Sequence, residues 1–112
     1  MLLVAIVLFI IAALFGLFVL VHILRNKPTP KAFVFIHGSI AVIAVLIVAY
    51  ATFLRANPWL IASLSVFIIA ALGGLTLFSF DMSKKPIPKL LAVVHPLVAV
   101  IGLLILIAYV IQ

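Results

Sequence analysis

The 112-residue chain has no cysteine, and Asp81 is its one acidic residue. Without cysteine there can be no disulfide, iron–sulfur cluster or thiolate metal site. Charged residues make up only 7% of the chain and hydrophobic residues make up 71%, whereas about half is usual for a water-soluble domain. The shortage of charge therefore excludes a soluble globular domain and indicates an integral membrane protein.

Four apolar stretches are each long enough to cross a hydrocarbon core of roughly 30 Å as a helix. Only helices or closed barrels satisfy their backbone groups in lipid, and these stretches use up nearly the whole chain. Short loops make successive helices antiparallel neighbours. The sequence predicts an all-α fold, a single transmembrane domain over 1–112, and an up-down four-helix bundle with helices over 2–24, 32–54, 58–80 and 90–111.

The net charge of +6 comes from basic residues near helix ends, which fits membrane orientation better than nucleic-acid binding. The preference of Lys and Arg for the cytoplasm predicts that loops one and three are cytoplasmic and that both termini are outside. We expect a bacterial inner membrane, with the lipid bilayer as the main partner and no nucleic acid. The first and third loops carry Arg25, Lys27, Lys31, Lys84, Lys85 and Lys89, whereas Arg55 stands alone on the second.

The two halves of the chain are copies of each other. A shift of 58 positions lays the segment 9–17 on 67–75 and carries His37 onto His95. The repeats run over about 1–54 and 58–112. Two tandem helical hairpins in parallel orientation imply a pseudo-two-fold axis along the membrane normal, so the second and fourth helices are symmetry mates.

His37 and His95 are predicted to lie at one depth, because each follows a basic residue, Lys31 or Lys89, by six positions. That spacing is about 9 Å along a helix. A polar side chain at that depth is expensive unless it faces the bundle interior. One interpretation is a hydrogen bond that packs helices together. The other is a metal on the axis with one axial ligand from each side, as in a haem, and the duplication favours it.

Small residues surround the predicted pair and leave room for a planar macrocycle. The alternative is that they serve only close helix packing in lipid. We expect the glycines of the first and third helices to lie where a macrocycle edge would press. The lysines closest to the histidines along their helices are candidate partners for haem propionates. These predicted cofactor-binding residues are Gly16 and Gly74, Ala41 and Ala44, Ala99 and Gly102, and Lys31 and Lys89.

The His37/His95 pair in this setting resembles membrane b-type cytochromes, including the cytochrome b core. In that family the second and fourth helices supply axial histidines, and glycines on the first and third admit the porphyrin. The resemblance covers all four helices as architecture, but there each ligand helix carries two histidines and the bundle binds two haems. It implies one haem b here, and bis-histidine ligation favours one-electron transfer over oxygen binding. Because one haem near one face does not bridge the bilayer, it also implies a partner: a quinone, superoxide, a soluble redox protein or a second copy.

Other interpretations remain open at this stage. His22 has no repeat mate, since Phe80 takes the equivalent position. His22 is an interfacial residue, a propionate partner, a proton carrier, a ligand at an oligomer contact, or a third ligand in a Zn²⁺, Cu²⁺ or Ni²⁺ site with His37 and His95. A small membrane transporter ranks lower, because proton-coupled export generally uses a buried carboxylate and Asp81 lies at a helix end. An accessory subunit of a larger complex is a further alternative, and the residues predict no substrate pocket.

Overall fold

Four α-helices account for most of the molecule. The computed structural model describes all 112 residues. It confirms the all-α fold, and each predicted helix boundary lies within about two residues of the observed one. Each helix is long and apolar enough to span a membrane. The helices are α1 Leu2–Leu24, α2 Lys31–Arg55, α3 Pro58–Met82 and α4 Lys89–Val110.

The helices form an elongated bundle of 42 × 20 × 19 Å in which sequence neighbours pack side by side. The most extensive contacts are within the hairpins, between α1 and α2 and between α3 and α4; α1 also meets α4, and α2 meets α3. No Cα atom of α1 lies within 8 Å of α3, and none of α2 within 8 Å of α4. Helices α2 and α4 therefore face each other across the bundle axis, as the predicted symmetry requires.

The loops at one end of the bundle repeat the same backbone geometry. Asn26 and Lys84, which are repeat mates, adopt left-handed φ angles of 55° and 56°. The next residue in each loop donates its N–H back into the preceding helix, Lys27 to the His22 carbonyl and Lys85 to the Phe80 carbonyl. This is the hydrogen-bond pattern of a Schellman helix end. The sequence repeat thus extends to the way both hairpins turn.

The opposite end of the bundle contains both termini and the short α2–α3 loop. Ala56 closes α2 in a left-handed conformation with φ 49°. The Asn57 side chain then accepts a hydrogen bond of 2.8 Å from the Trp59 N–H, and Pro58 occupies the first helical position. An asparagine cap followed by proline is a favoured helix start. We call this the far end and the end with loops one and three the basic end.

The surface of the bundle is apolar and its closed core is small. Only 15 of the 112 residues are buried, while large hydrophobic side chains such as Leu46, Phe53 and Leu90 are exposed. A soluble protein rarely exposes so continuous an apolar surface. In lipid such a surface is the expected exterior, so the helix lengths and this surface both describe an integral membrane protein.

The two halves of the bundle differ in packing. The core cluster lies entirely in the half next to the far end, where Phe9 of α1 and Phe67 of α3 stack with ring centroids 4.0 Å apart. In the half next to the basic end Thr29 and Ala92 are buried, and Ala12 and Ala70 are buried at the middle of α1 and α3. Its interior positions are half-buried. The cluster comprises Leu2, Ala5, Phe9, Ala44, Val48, Ala51, Leu60, Phe67 and Leu106.

Candidate functional site

His37 and His95 meet on the bundle axis in the basic half. His37 comes from α2 and His95 from α4, and both are half-buried. Their ring centroids are 6.3 Å apart and their planes are at 90°. Because the backbones of α2 and α4 do not approach each other, the two imidazoles span the interior between them. The structure brings together the two residues that the repeat predicts to share one depth.

Each imidazole is fixed by a backbone carbonyl of its own hairpin. His37 Nδ1 lies 2.7 Å from the Ala12 carbonyl oxygen, and His95 Nδ1 lies 2.8 Å from the Ala70 carbonyl oxygen. A carbonyl oxygen only accepts, so Nδ1 must carry the hydrogen and donate it. In a neutral imidazole the other nitrogen, Nε2, then keeps its lone pair. Both rings are therefore held in the tautomer that leaves Nε2 as the ligand atom.

Gly16 and Gly74 make room for the imidazole rings. A Cβ atom on Gly16 would lie 2.9 Å from His37 Cε1, and one on Gly74 would lie 3.0 Å from His95 Cε1. Both distances are too short for ordinary carbon contacts, whereas a Cβ on Gly73 would meet His95 Nδ1 at 3.8 Å. The imidazole rings of His37 and His95 thus occupy the space beside the glycines that was predicted for a macrocycle edge. The glycines let each ring pack flush against the neighbouring helix and reach its carbonyl.

The predicted small residues of α2 and α4 fall into two groups. Ala41 and Ala99 are half-buried. Ala44 and Gly102 are fully buried and belong to the far half, where Gly102 lies under the Phe67 ring at a distance that would put a Cβ 3.1 Å away. The Gly102 carbonyl also accepts a 2.9 Å hydrogen bond from the Ser63 hydroxyl. Ala44 and Gly102 thus close the layer above the histidines.

The two predicted propionate partners have different surroundings. Lys31 forms an ion pair of 2.7 Å with Asp81 and donates to the Thr29 hydroxyl oxygen. The Thr29 hydroxyl donates in turn to the Asp81 carboxylate at 2.8 Å. Lys89 is exposed and has no carboxylate partner. Of the pair, Lys89 is the one whose ammonium group is available to another anion.

The Thr29–Lys31–Asp81 cluster joins the two hairpins at the basic end, and sequence reasoning missed it. The side chains come from loop one, α2 and α3, and the cluster has no counterpart in the repeat. Ile87 and Ile23 occupy the positions equivalent to Thr29 and Asp81. The only signal in the sequence was that the single acidic residue stood near the lysines in the predicted bundle.

His22 lies apart from the pair. Its Nδ1 is 2.9 Å from the Phe18 carbonyl oxygen of its own helix, and its ring packs on Phe18 with centroids 4.8 Å apart. No three His, Asp or Glu side chains come together as a metal-binding group. The donor set on the axis therefore consists of two imidazoles.

The separation of the rings matches two nitrogen ligands on opposite sides of one ion. A metal–nitrogen distance of about 2 Å on each side, with about 1.1 Å from nitrogen to ring centre, places trans imidazole centroids about 6 Å apart. A tetrahedral ion would bring them closer, to about 5 Å. The observed centroid separation of 6.3 Å is closer to the trans value. This separation is compatible with two histidine nitrogens on one ion, as in a haem with two histidine ligands.

Comparison with known proteins adds no family to this geometry. No protein-family model, curated protein or solved structure matches the chain.

Proposed function

We propose that the protein is a transmembrane b-type cytochrome that holds one haem through His37 and His95 and takes part in one-electron transfer. The observation that carries the proposal is the pair of imidazoles across the axis, 6.3 Å apart, each with Nδ1 on a backbone carbonyl. The bound iron would supply a one-electron couple. Two histidine ligands fill both axial positions, which favours electron transfer over oxygen binding.

The chain's own groups would do three things for this cofactor. The Ala12 and Ala70 carbonyls accept from Nδ1 of each ring and orient it, and such a hydrogen bond raises the basicity of a metal-bound histidine. Gly16 and Gly74 let the rings lie against α1 and α3. Lys89 offers an unpaired cation at the basic end for a propionate. In the membrane, the basic loops would face the cytoplasm.

The test is the absorption spectrum of the purified protein, as isolated and after titration with haem. We expect a Soret band with sharp α and β bands on reduction, at one haem per chain. His37→Ala and His95→Ala should each abolish this spectrum, since either removes an axial ligand. His22→Ala is the matched control and should preserve it, because the His22 ring bonds to the carbonyl and packs on the ring of Phe18 in its own helix.

A colourless protein that takes up no haem would refute the proposal. If that protein instead binds a stoichiometric transition metal, and His37→Ala releases it, the histidine pair is a metal site of another kind. X-ray absorption would then distinguish a two-coordinate from a tetrahedral metal, because the two differ in the number of ligands and in their bond lengths.

A further inference from the structure

The histidine pair is close to one end of the bundle and distant from the other. His37 is six residues from the start of α2 at Lys31 and eighteen from its end at Arg55. At about 1.5 Å per residue, these separations are about 9 Å to the basic end and about 27 Å to the far end. Electron transfer between separated groups falls steeply with distance, so the basic end is the favoured side for exchange.

The core of the far half is packed with apolar side chains. Phe9 and Phe67 stack across the axis with nearly parallel rings, at an interplanar angle of 5°. The side chains of the surrounding cluster are all apolar. The one buried hydroxyl, that of Ser63, is already bonded to the Gly102 carbonyl. The titratable side chains of the far half, Tyr50, Arg55 and Tyr109, lie toward the far end, so none lies between the Phe9–Phe67 pair and the histidines.

The basic end carries uncompensated positive charge. Lys31 and Asp81 form the one salt bridge in the molecule, so the single negative side chain is already neutralised. The remaining cations at this end are exposed, and Lys27, Lys84 and Lys85 lie in the loops beyond the last helical residues. Such a surface attracts anions from solution and speeds their encounter. The exposed cations are Arg25, Lys27, Lys84, Lys85 and Lys89.

We propose that the histidine-held redox centre exchanges electrons only through the basic end, with an anionic, water-soluble one-electron carrier. This proposal rests on the proposed function. In each exchange one electron passes between centre and carrier, one is oxidised as the other is reduced, and no proton or bond is transferred. A soluble carrier is favoured over lipid headgroups because the loop lysines extend beyond the helices, toward water. The far half then separates the redox centre from carriers at the far end.

The first experiment tests sidedness in sealed phosphatidylcholine liposomes that contain the reduced holoprotein. Because the chain has no cysteine, Ser83→Cys and Gln112→Cys each provide a unique thiol, one at each end. An impermeant maleimide then reports the fraction of molecules with that end outward. Ferricyanide, an impermeant anion, should rapidly oxidise a fraction equal to that labelled at Ser83→Cys. The remainder should react only after detergent is added.

The second experiment tests charge, with the chain in phosphatidylcholine nanodiscs. The double variant Lys27→Gln/Lys85→Gln, at two exposed loop lysines, should slow oxidation by ferricyanide about threefold at low salt, because electrostatic attraction governs encounter. Oxidation by the cation hexaammineruthenium(III) should not slow. Arg55→Gln, at the far end, is the control and should leave the ferricyanide rate unchanged. Salt should diminish the effect of the lysine substitutions.

A readout without redox turnover accompanies the rates. A fluorescein-labelled oligoglutamate should bind the chain, with or without haem, and its fluorescence anisotropy should fall in the lysine variant but not in Arg55→Gln. Lysine substitutions that leave both probes unchanged and only reduce co-purified phosphatidylglycerol would assign the surface to lipid and overturn the proposal.

The outcomes separate the two proposals. If the protein gives no haem spectrum, the proposed function fails and this inference falls with it. If the spectrum is normal but rapid oxidation follows the label at Gln112→Cys, or occurs equally from both sides, only the inference fails. Reaction with a short-chain quinol but with neither impermeant probe would also overturn it and identify a lipid-soluble partner.

Discussion

The far half and the basic half of this bundle are built from the same four helices but differ in their packing and in their polar groups. The far half packs aromatic and aliphatic side chains into a closed core around Phe9 and Phe67. In place of that core, the basic half holds two imidazoles, two glycines and the Thr29–Lys31–Asp81 cluster that joins the hairpins. The closed core and the histidine pair are therefore separated along the axis, and packing around the histidines can be looser because the opposite half holds the helices together.

Truncation of one phenylalanine in each half of α3 tests whether the far half contributes more to stability than the basic half. Phe67→Ala should cost about 3 kcal/mol of unfolding free energy, because it removes a buried ring and leaves a cavity. Phe78→Ala, in the basic half, should cost about 1 kcal/mol or less, since its ring is only partly buried and contributes less packing. Unfolding by steric trapping in bicelles measures both. Equal losses would show that the two halves share one core.

The adjacent glycines Gly73 and Gly74 of α3 test how closely the His95 ring packs against that helix. Gly74→Ala would place a Cβ 3.0 Å from His95 Cε1, so the ring must shift and its bond to the Ala70 carbonyl weakens. We expect haem affinity to fall about 10- to 100-fold, as when other hydrogen-bond partners of metal-binding histidines are lost. Gly73→Ala should change affinity little, because its Cβ meets His95 at ordinary contact distance. Competition with a haem-binding apoprotein measures the affinity; equal effects would contradict the imidazole packing described above.

The Thr29–Lys31–Asp81 cluster should contribute less to the free energy of unfolding than the buried Phe67 ring does. Asp81→Asn removes the ion pair with Lys31, whose side chain is 49% exposed, so solvent screening limits the loss of unfolding free energy to about 1 kcal/mol or less. Lys31→Gln should have a similar effect, and Lys89→Gln, which has no carboxylate partner, should have none. Thermal unfolding in detergent ranks the three variants. If Lys89→Gln lowered the unfolding temperature more than Asp81→Asn or Lys31→Gln, the ion pair would not be the stabilising contact at the basic end.

The smallest expected effect concerns the one buried hydroxyl of the far half. Ser63→Ala removes the hydrogen bond to the Gly102 carbonyl, and side-chain hydrogen bonds between membrane helices are worth about 0.6 kcal/mol on average. Its repeat mate is Ala5, which packs without such a bond. The variant therefore makes the repeats more alike at little cost. A loss of several kcal/mol would show that the far half depends on this bond.

Sequence reasoning predicted most of the fold, because apolar length and proline-bounded loops determine membrane helices directly. It also predicted that His37 and His95 meet, since the repeat fixes both at one depth. It did not predict that Ala12 and Ala70 would hold the rings, because any residue can supply a backbone carbonyl. Nor did it predict the Thr29–Asp81 bond, which joins residues 52 positions apart that are isoleucines in the other repeat. Contacts of that kind depend on how the hairpins rotate against each other, and no local pattern encodes this.

The placement of each carbonyl has a consequence for assembly. His37, Ala12 and Gly16 belong to one hairpin, and His95, Ala70 and Gly74 belong to the other. Each helical pair can therefore orient its own ligand before the two pairs associate in the membrane. Association of the hairpins then only has to bring two oriented imidazoles together. An iron bound by both would link the two hairpins and stabilise their association.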